Sequence, residues 1–229
     1  VKDKEVAKQL TDFGHPFTSK RPTLNTDYFE TFNKKHVRLI DLKENPIVNI
    51  TKNGIKTKNE EFKFDKIIFA TGYDALSGPI LSLNLTGRKN IKLNKYWKNG
   101  PITYLGLMIP NFPNFFIISG PGSPSVLTNV PAQIQQHVEW ISEFIKYLEK
   151  SNSLSVEPEA KEAENWVKKI NTLAKKSLFM KAKNSWYKGD NIPGKPKTFI
   201  PYPAGLPQYR EICNKVRKKM YKGFNISLK

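Results

Sequence analysis

The sequence predicts an α/β protein, with strands in its first third and helices in its second half, and three observations lead there. Short apolar runs separated by turn residues occupy positions 37 to 70. Two apolar runs stop in glycine-containing loops, at Ala70-Thr71-Gly72 and at Gly120-Pro121-Gly122-Ser123-Pro124. From Ile134 onward apolar residues recur at helical spacing.

Taken in order, Val37-Arg38-Leu39-Ile40 and Ile47-Val48-Asn49-Ile50 read as strands, and Asn53-Gly54 is a hairpin signal ahead of Ile55. Phe62 to Ala70 then reads as a buried strand fed by a β-meander, and Asn114 to Ile118 as a second strand. Asn129 is placed to cap a helix with Pro131 in its first turn, and Ile134, Val138, Ile141, Ile145 and Leu148 form one apolar stripe along it. A further helix is expected from about Pro158, with Ala163, Trp166, Val167, Ile170 and Ala174 facing inward. The last runs from Gln208 to about Lys222 and stops at Gly223. Strands that end in glycine loops, with a helix launched from the second loop, are how parallel α/β folds place ligands beyond the strand ends. The same loops also serve as plain turns, and the spacing alone leaves both readings open.

Composition narrows the function. With 38% hydrophobic and 12% aromatic residues, a chain of 229 residues builds a real core. The amino-terminal VKDKEVAKQL has no signal-peptide core and no apolar run reaches the roughly 18 to 20 residues of a membrane span, so the expectation is a cytoplasmic protein without membrane contact. Opening on Val1, the chain reads as a fragment or a processed product. Its single Cys213 lies beside Ile212 and Val216 in a helical pattern, as a small core residue would. The net charge of +18, from 38 Lys and Arg against 20 Asp and Glu, raises nucleic acid as a partner. The basic residues are scattered, however, and the densest group, Lys215, Arg217, Lys218, Lys219 and Lys222, falls on a terminal amphipathic helix. No nucleic-acid partner is therefore expected. His15, His36 and His137 are unclustered, which predicts no metal site. No G-x-S-x-G elbow occurs, and the glycosylation-type triplets at Asn49, Asn84 and Asn225 are chance matches.

Five motifs in order carry a resemblance: SKRP at 19–22, DYFETFNKKHVRLIDLKENPIVNITKNGIKT at 27–57, ATGYDA at 70–75, GPGSPSVLTNVPAQIQQHVEWI at 120–141 and SWYKGDNIPGKPK at 185–197. Together they resemble consecutive landmarks of the Baeyer–Villiger monooxygenases, class B flavoproteins with two dinucleotide-binding, Rossmann-like domains. The resemblance covers nearly the whole chain but only the carboxyl-terminal portion of that family. No G-x-G-x-x-G is present, so the glycine-rich turns for FAD and NADPH belong to a missing amino-terminal part. It implies residues 1–69 as the end of an NADP-binding domain. Residues 70–229 become the end of an FAD-binding domain with helical and lid-loop segments, and the fold a β-meander and parallel strands followed by a helical region.

The implied activity uses FAD, NADPH and O2 to insert one oxygen atom beside a ketone carbonyl, giving an ester or lactone, and the flavin supplies the hard chemistry. Negative charge that develops on the way calls for a cation that keeps its proton, and guanidinium meets that need. Arg21 matches the family's catalytic arginine and Lys20 a contact to the 2′-phosphate of NADP. Thr71, Gly72, Tyr73 and Asp74 match the turn crossing back to the FAD domain, where Gly72 lets backbone pass close to cofactor and Asp74 fixes the turn locally. Thr128 and Asn129 match the helix start at the electron-rich edge of the flavin, and Leu127, Thr128 and Val130 the substrate pocket. Trp186 lies in a loop without apolar period and matches a lid over the nicotinamide ribose. Two other readings stand beside this one: a related N- or S-oxygenating flavin monooxygenase, and a non-catalytic basic binding module.

Overall fold

Asn53-Gly54 does turn the chain back on itself. Strand β1 (Ile47–Thr51) pairs antiparallel with β2 (Gly54–Thr57), with Ile50 opposite Ile55 and Thr51 opposite Gly54. β2 pairs antiparallel with β3 (Glu61–Lys63). Glycine is required at 54 because a Cβ there would overlap the Phe62 carbonyl oxygen on the neighbouring strand. Two short helices precede the meander. α1 (Lys4–Thr11) is capped by Asp3, whose Oδ1 accepts from the Glu5 and Val6 amides at 2.8 and 3.1 Å, and α2 spans Tyr28–Thr31. The computed structural model describes residues 1–12 and 14–229, in two units: Val1–Phe17 with Pro22–Tyr73, and Thr18–Arg21 with Asp74–Lys229.

Two expected strands of the first unit do not form. Val37 to Ile40 is irregular, and Arg38 is held by a two-pronged bond to Glu60 at 2.7 and 2.8 Å rather than by a ladder. The strand expected from Phe62 to Ala70 ends at Lys63, and Ile67 to Ala70 runs unpaired, with Ile68 89% and Phe69 67% exposed. Strand composition is a preference for a half-buried pleated surface and forms one only when a neighbour takes up the backbone groups. Among the described residues none does.

The second unit holds the core. Two single turns, α3 (Gly78–Ser82) and α4 (Leu93–Tyr96), lead to the long helix α5 (Val130–Lys150), strand β4 (Ser153–Pro158), α6 (Ala160–Lys175), α7 (Leu206–Lys218) and β5 (Phe224–Leu228). β4 and β5 pair antiparallel, so every ladder among the described residues is antiparallel and the expected parallel strands do not pair among them. The pair β4–β5 was not foreseen, since SLSVEP and FNISL are short and half polar. Gly223, expected as a helix stop, lies between the end of α7 and β5 at φ +101°. Asn114 to Ile118 contributes one isolated bridge, Met108 to Phe116, instead of a strand. Asn114 explains this, because it exchanges backbone and side-chain bonds with Val156 at 2.9 Å and so binds to β4 at a left-handed φ of +58°. Phe144 stacks on Tyr221 at 3.9 Å between ring centres, Trp140 and Phe224 close around them, and Trp166 stacks on Tyr202.

α5 keeps only part of its apolar stripe inward, with Ile141 buried and Leu148 packed against the core. Gln133, Gln136, His137, Trp140, Ile141 and Phe144 are buried, while Ile134, Val138 and Ile145 are exposed. Gln133 and His137 are buried with the hydrogen-bond partners described below, whereas Gln136 Oε1 is buried with none among the described residues; α6 buries Ala163, Trp166, Ile170 and Ala174 as expected, with Val167 half-buried at the rim. Cys213 is a buried core residue. No helix among the described residues is long and apolar enough to cross a membrane.

Candidate active site

The loop ahead of α5 is fixed from four sides. Gly120 to Ser125 is buried, the Gly122 amide donates to Ile200 O at 2.8 Å and Trp166 Nε1 donates to Gly122 O at 3.0 Å. Thr103 Oγ1 donates to Pro121 O at 2.6 Å. Gly122 has φ +92°, and a Cβ there would stand 2.7 Å from Thr103 Oγ1 and 3.1 Å from Trp166 Nε1. Its glycine is demanded by packing inside the unit. On the helix side, Gln133 Nε2 donates to Ser123 Oγ at 3.0 Å and to Ser119 Oγ at 3.3 Å.

His137 completes the bracing. Its Nδ1 accepts the Ser119 amide at 3.0 Å, so the ring proton sits on Nε2, which donates to Tyr209 Oη at 3.0 Å, and Tyr209 in turn donates to Leu105 O at 2.6 Å. Burial drives the imidazole pKa down to about 4 and the Tyr209 phenol well above its ordinary value. None of this bracing was read from the sequence, although a glutamine and a histidine four and eight residues beyond Asn129 were a signal.

From the end of this loop the candidate residues emerge. A short 3₁₀ turn, Ser125–Leu127, leads through extended Thr128 to Asn129, whose Oδ1 caps α5 by accepting the Ala132 amide at 3.2 Å. Arg21, on a segment that belongs to this unit while its neighbours in sequence belong to the other, donates from Nη1 to Val126 O at 2.8 Å. The rest of its guanidinium is exposed and without a partner among the described residues. Lys20 beside it is half-buried, with no ion pair among the described residues. Leu127, Thr128 and Val130 are half-buried at the same helix start. Arg21 also lies against Tyr187, whose phenol is pushed up by burial and pulled back by the backbone and charge of Arg21. Tyr187 is 1% exposed and packs edge-on to Trp186 at 4.5 Å between ring centres. Its hydroxyl has no hydrogen-bond partner of good geometry. The fold thus gathers Arg21, Leu127 to Val130 and Trp186 in one unit, and Tyr187, not singled out from the sequence, packs between Arg21 and Trp186.

The ATG turn is divided. Thr71, Gly72 and Tyr73 close the first unit, fully open: Tyr73 is 92% exposed, and Gly72, at φ +85°, has nothing within 4 Å of where a Cβ would stand. Asp74 opens the second unit, and its side chain does not fix the turn locally as expected. It forms an ion pair with Lys195, 121 residues on, because that ammonium is nearly buried and needs a counter-charge.

One unit thus holds a braced loop ahead of a helix start, an exposed arginine bonded to the end of that loop and the loop that carries Trp186. Comparisons with known proteins show what this arrangement is similar to. No family model matches the chain. It is 40% identical over all 229 residues to the cyclohexanone 1,2-monooxygenase of an Acinetobacter species and 40% identical over 222 residues to a Baeyer–Villiger monooxygenase of Pseudooceanicola batsensis. It is 37% identical over 227 residues to the phenazine N-monooxygenase of Lysobacter antibioticus. Among solved structures, it superposes over 100% of its length on 42% of a closed cyclohexanone monooxygenase, with TM-score 0.95 and 34% identity. It also superposes over 99% of its length on 42% of the OTEMO complex with FAD and NADP, with TM-score 0.94 and 33% identity. In sequence and fold the chain corresponds to the carboxyl-terminal part of the Baeyer–Villiger monooxygenases. It spans about two fifths of the length of the relatives it matches, covering 41% and 40% of the first two.

Proposed function

We propose that this chain is the part of an FAD- and NADPH-dependent Baeyer–Villiger monooxygenase that supplies the catalytic arginine, the lid tryptophan and one wall of the substrate pocket. The whole enzyme inserts one atom of O2 beside a ketone carbonyl and releases an ester or lactone. The observation that carries this reading is Arg21, exposed and anchored by a single bond to Val126 O, in the turn that leads to Leu127, Thr128 and Val130.

The residues fit both cofactors. Lys20 is an unpaired cation suited to the 2′-phosphate of NADP, and the indole N–H of Trp186, with no acceptor among the described residues, suits a ribose hydroxyl. The Val130 amide at the start of α5, with Thr128 and Asn129, suits an electron-rich ring edge. Thr71, Gly72, Tyr73 and Asp74 offer a backbone turn with open space at Gly72. When bound, NADPH supplies the electrons and the flavin the activation of O2. The glycine-rich pyrophosphate turns are not in this sequence, and we assign them to an amino-terminal part of the same polypeptide. Exposed Ile68, Phe69, Ile134, Val138 and Ile145 support such a partner, since large apolar side chains rarely cluster uncovered.

Arg21 keeps a permanent charge where the former carbonyl oxygen becomes negative, so it lowers the barrier without gaining or losing a proton. In the complete enzyme Arg21→Ala should abolish ester formation while reduction of the flavin by NADPH continues, a loss of about 3 kcal/mol or two to three decades in rate. Arg21→Lys should restore little, because the planar, permanently charged guanidinium is gone. Ester made by Arg21→Ala at near the parental rate would remove Arg21 from the mechanism. The phenazine N-monooxygenase among the relatives favours one second reading, oxygenation of a ring nitrogen, for which Arg21→Ala would spare turnover. Product analysis with a cyclic ketone and an aromatic N-heterocycle separates the two.

A further inference from the structure

The loop that carries Trp186 closes on itself at one end. Ile200 N donates to Tyr187 O at 2.8 Å and Thr198 N to Lys188 O at 2.9 Å, so the two limbs meet at a neck. Just inside it, Asp190 accepts the Ser185 amide at 2.6 Å and pairs with Lys188 at 2.9 Å. The neck is seated in the core by Tyr187, Phe199 and Phe179. The outer limb, Ile192 to Pro196, has no such seat. What holds it is Lys195, whose Nζ pairs with Asp74 and lies 3.4 Å from Ala75 O, and whose side chain is only 10% exposed against 45% for Asp74. Asp74 is itself confined, since its carboxyl group fills the space where Gly78 would carry a Cβ. A single ammonium therefore joins the outer limb of the Trp186 loop to the end of the ATGYDA turn across 121 residues of sequence.

We propose that Lys195 is a positioning residue, a latch that holds the Trp186 loop against the cofactor turn at Asp74 so that the two keep one arrangement while NADP is bound. Resting on the function proposed above, it adds to Trp186 the residue that keeps its loop closed. An ion pair on a limb without apolar anchorage is the natural point of release, because the neck stays folded when it breaks. The two partners are unequal. Removing the carboxylate strands a nearly buried ammonium, whereas removing the ammonium leaves a carboxylate that water reaches. Asp74→Asn should loosen the limb more than Lys195→Met does.

The test uses the full-length holoenzyme and two measurements. Limited proteolysis maps cleavage at residues 189 to 197 with and without NADP, and the yields of hydrogen peroxide and ester are taken from one NADPH consumption. Lys195→Met should speed cleavage about tenfold in the presence of NADP and raise the peroxide share severalfold. Lys195→Arg should restore most of the protection, and the exchanged pair Asp74→Lys with Lys195→Asp part of it, neither of which a general loss of folding would allow. Cleavage by Lys195→Met at the parental rate, with the parental peroxide share, would overturn the latch. The proteolysis arm does not depend on turnover. Faster cleavage in a protein that makes no ester would keep the latch and discard the Baeyer–Villiger reading.

Discussion

KIIFATGYDA and NFFIISGPGSP are the same phrase in sequence, an apolar run that stops in a glycine turn, yet they end in opposite conditions. In the second, Ile117 is buried, Gly120 and Gly122 are enclosed and the loop is bonded from α5, α6 and the segment around Ile200. In the first, Ile68 and Phe69 are exposed, no strand pairs with the run and Gly72 stands in the open. An apolar run states a need for cover; only its neighbours decide whether the need is met. The second run finds its cover within these 229 residues and the first does not, which agrees with a chain that spans about two fifths of its relatives.

The sharpest way to break this contrast is at the two glycines. Gly122→Ala in the full-length protein combines a left-handed φ with a Cβ pressed on Thr103 and Trp166, and should cost about 3 kcal/mol in denaturant unfolding. Gly72→Ala carries the φ cost alone, about 1 kcal/mol, and should show instead as weakened flavin retention if cofactor backs that turn. Equal stability losses at both sites would mean that Gly72 is as enclosed as Gly122.

The bracing of the second loop has its own pH signature. His137 has a folded pKa of about 4 against about 6.5 unfolded, so between those values the unfolded chain binds more protons and stability rises with pH. Stability is full above pH 6.5 and should fall progressively by about 3 kcal/mol as pH drops toward 4. Unfolding of wild type and His137→Gln across that window measures it. A slope that survives the substitution unchanged would assign the titration to another group.

The smallest expected stability effect lies on the first run. Ile68→Lys and Phe69→Lys should change the stability of this chain expressed alone by less than about 0.5 kcal/mol, since neither side chain packs in it, while raising its soluble yield. The isolated chain should hold no FAD, because the glycine-rich turns are not in its sequence. A loss of folding in the lysine variants would show that these residues are covered after all.

Several local elements of both units were legible in the sequence. The cap at Asn129, the inward face of α6 and the hairpin at Asn53-Gly54 follow from local geometry, where the residues that make the structure lie within a few positions of one another. The five motifs sufficed to indicate the family and the candidate residues. The inward face of α5 was legible only in part. Hydrophobic periodicity selects Ile134, Val138, Ile141, Ile145 and Leu148; Ile141 is buried and Leu148 packs on the core, but Ile134, Val138 and Ile145 are exposed while Gln133 and His137 are buried. A polar group goes inside once its hydrogen bonds are met, and the groups that meet them, Ser119, Ser123 and Tyr209, lie 10 to 72 residues away. The same distance hid the pairing of Asp74 with Lys195 and the transfer of Arg21 into the second unit. Sequence alone determined helix, hairpin and family because these rest on neighbours along the chain and on ordered motifs. Which faces are buried, and which charges find each other, only the tertiary structure decided, because Coulomb and hydrogen-bond energies depend on separation in space.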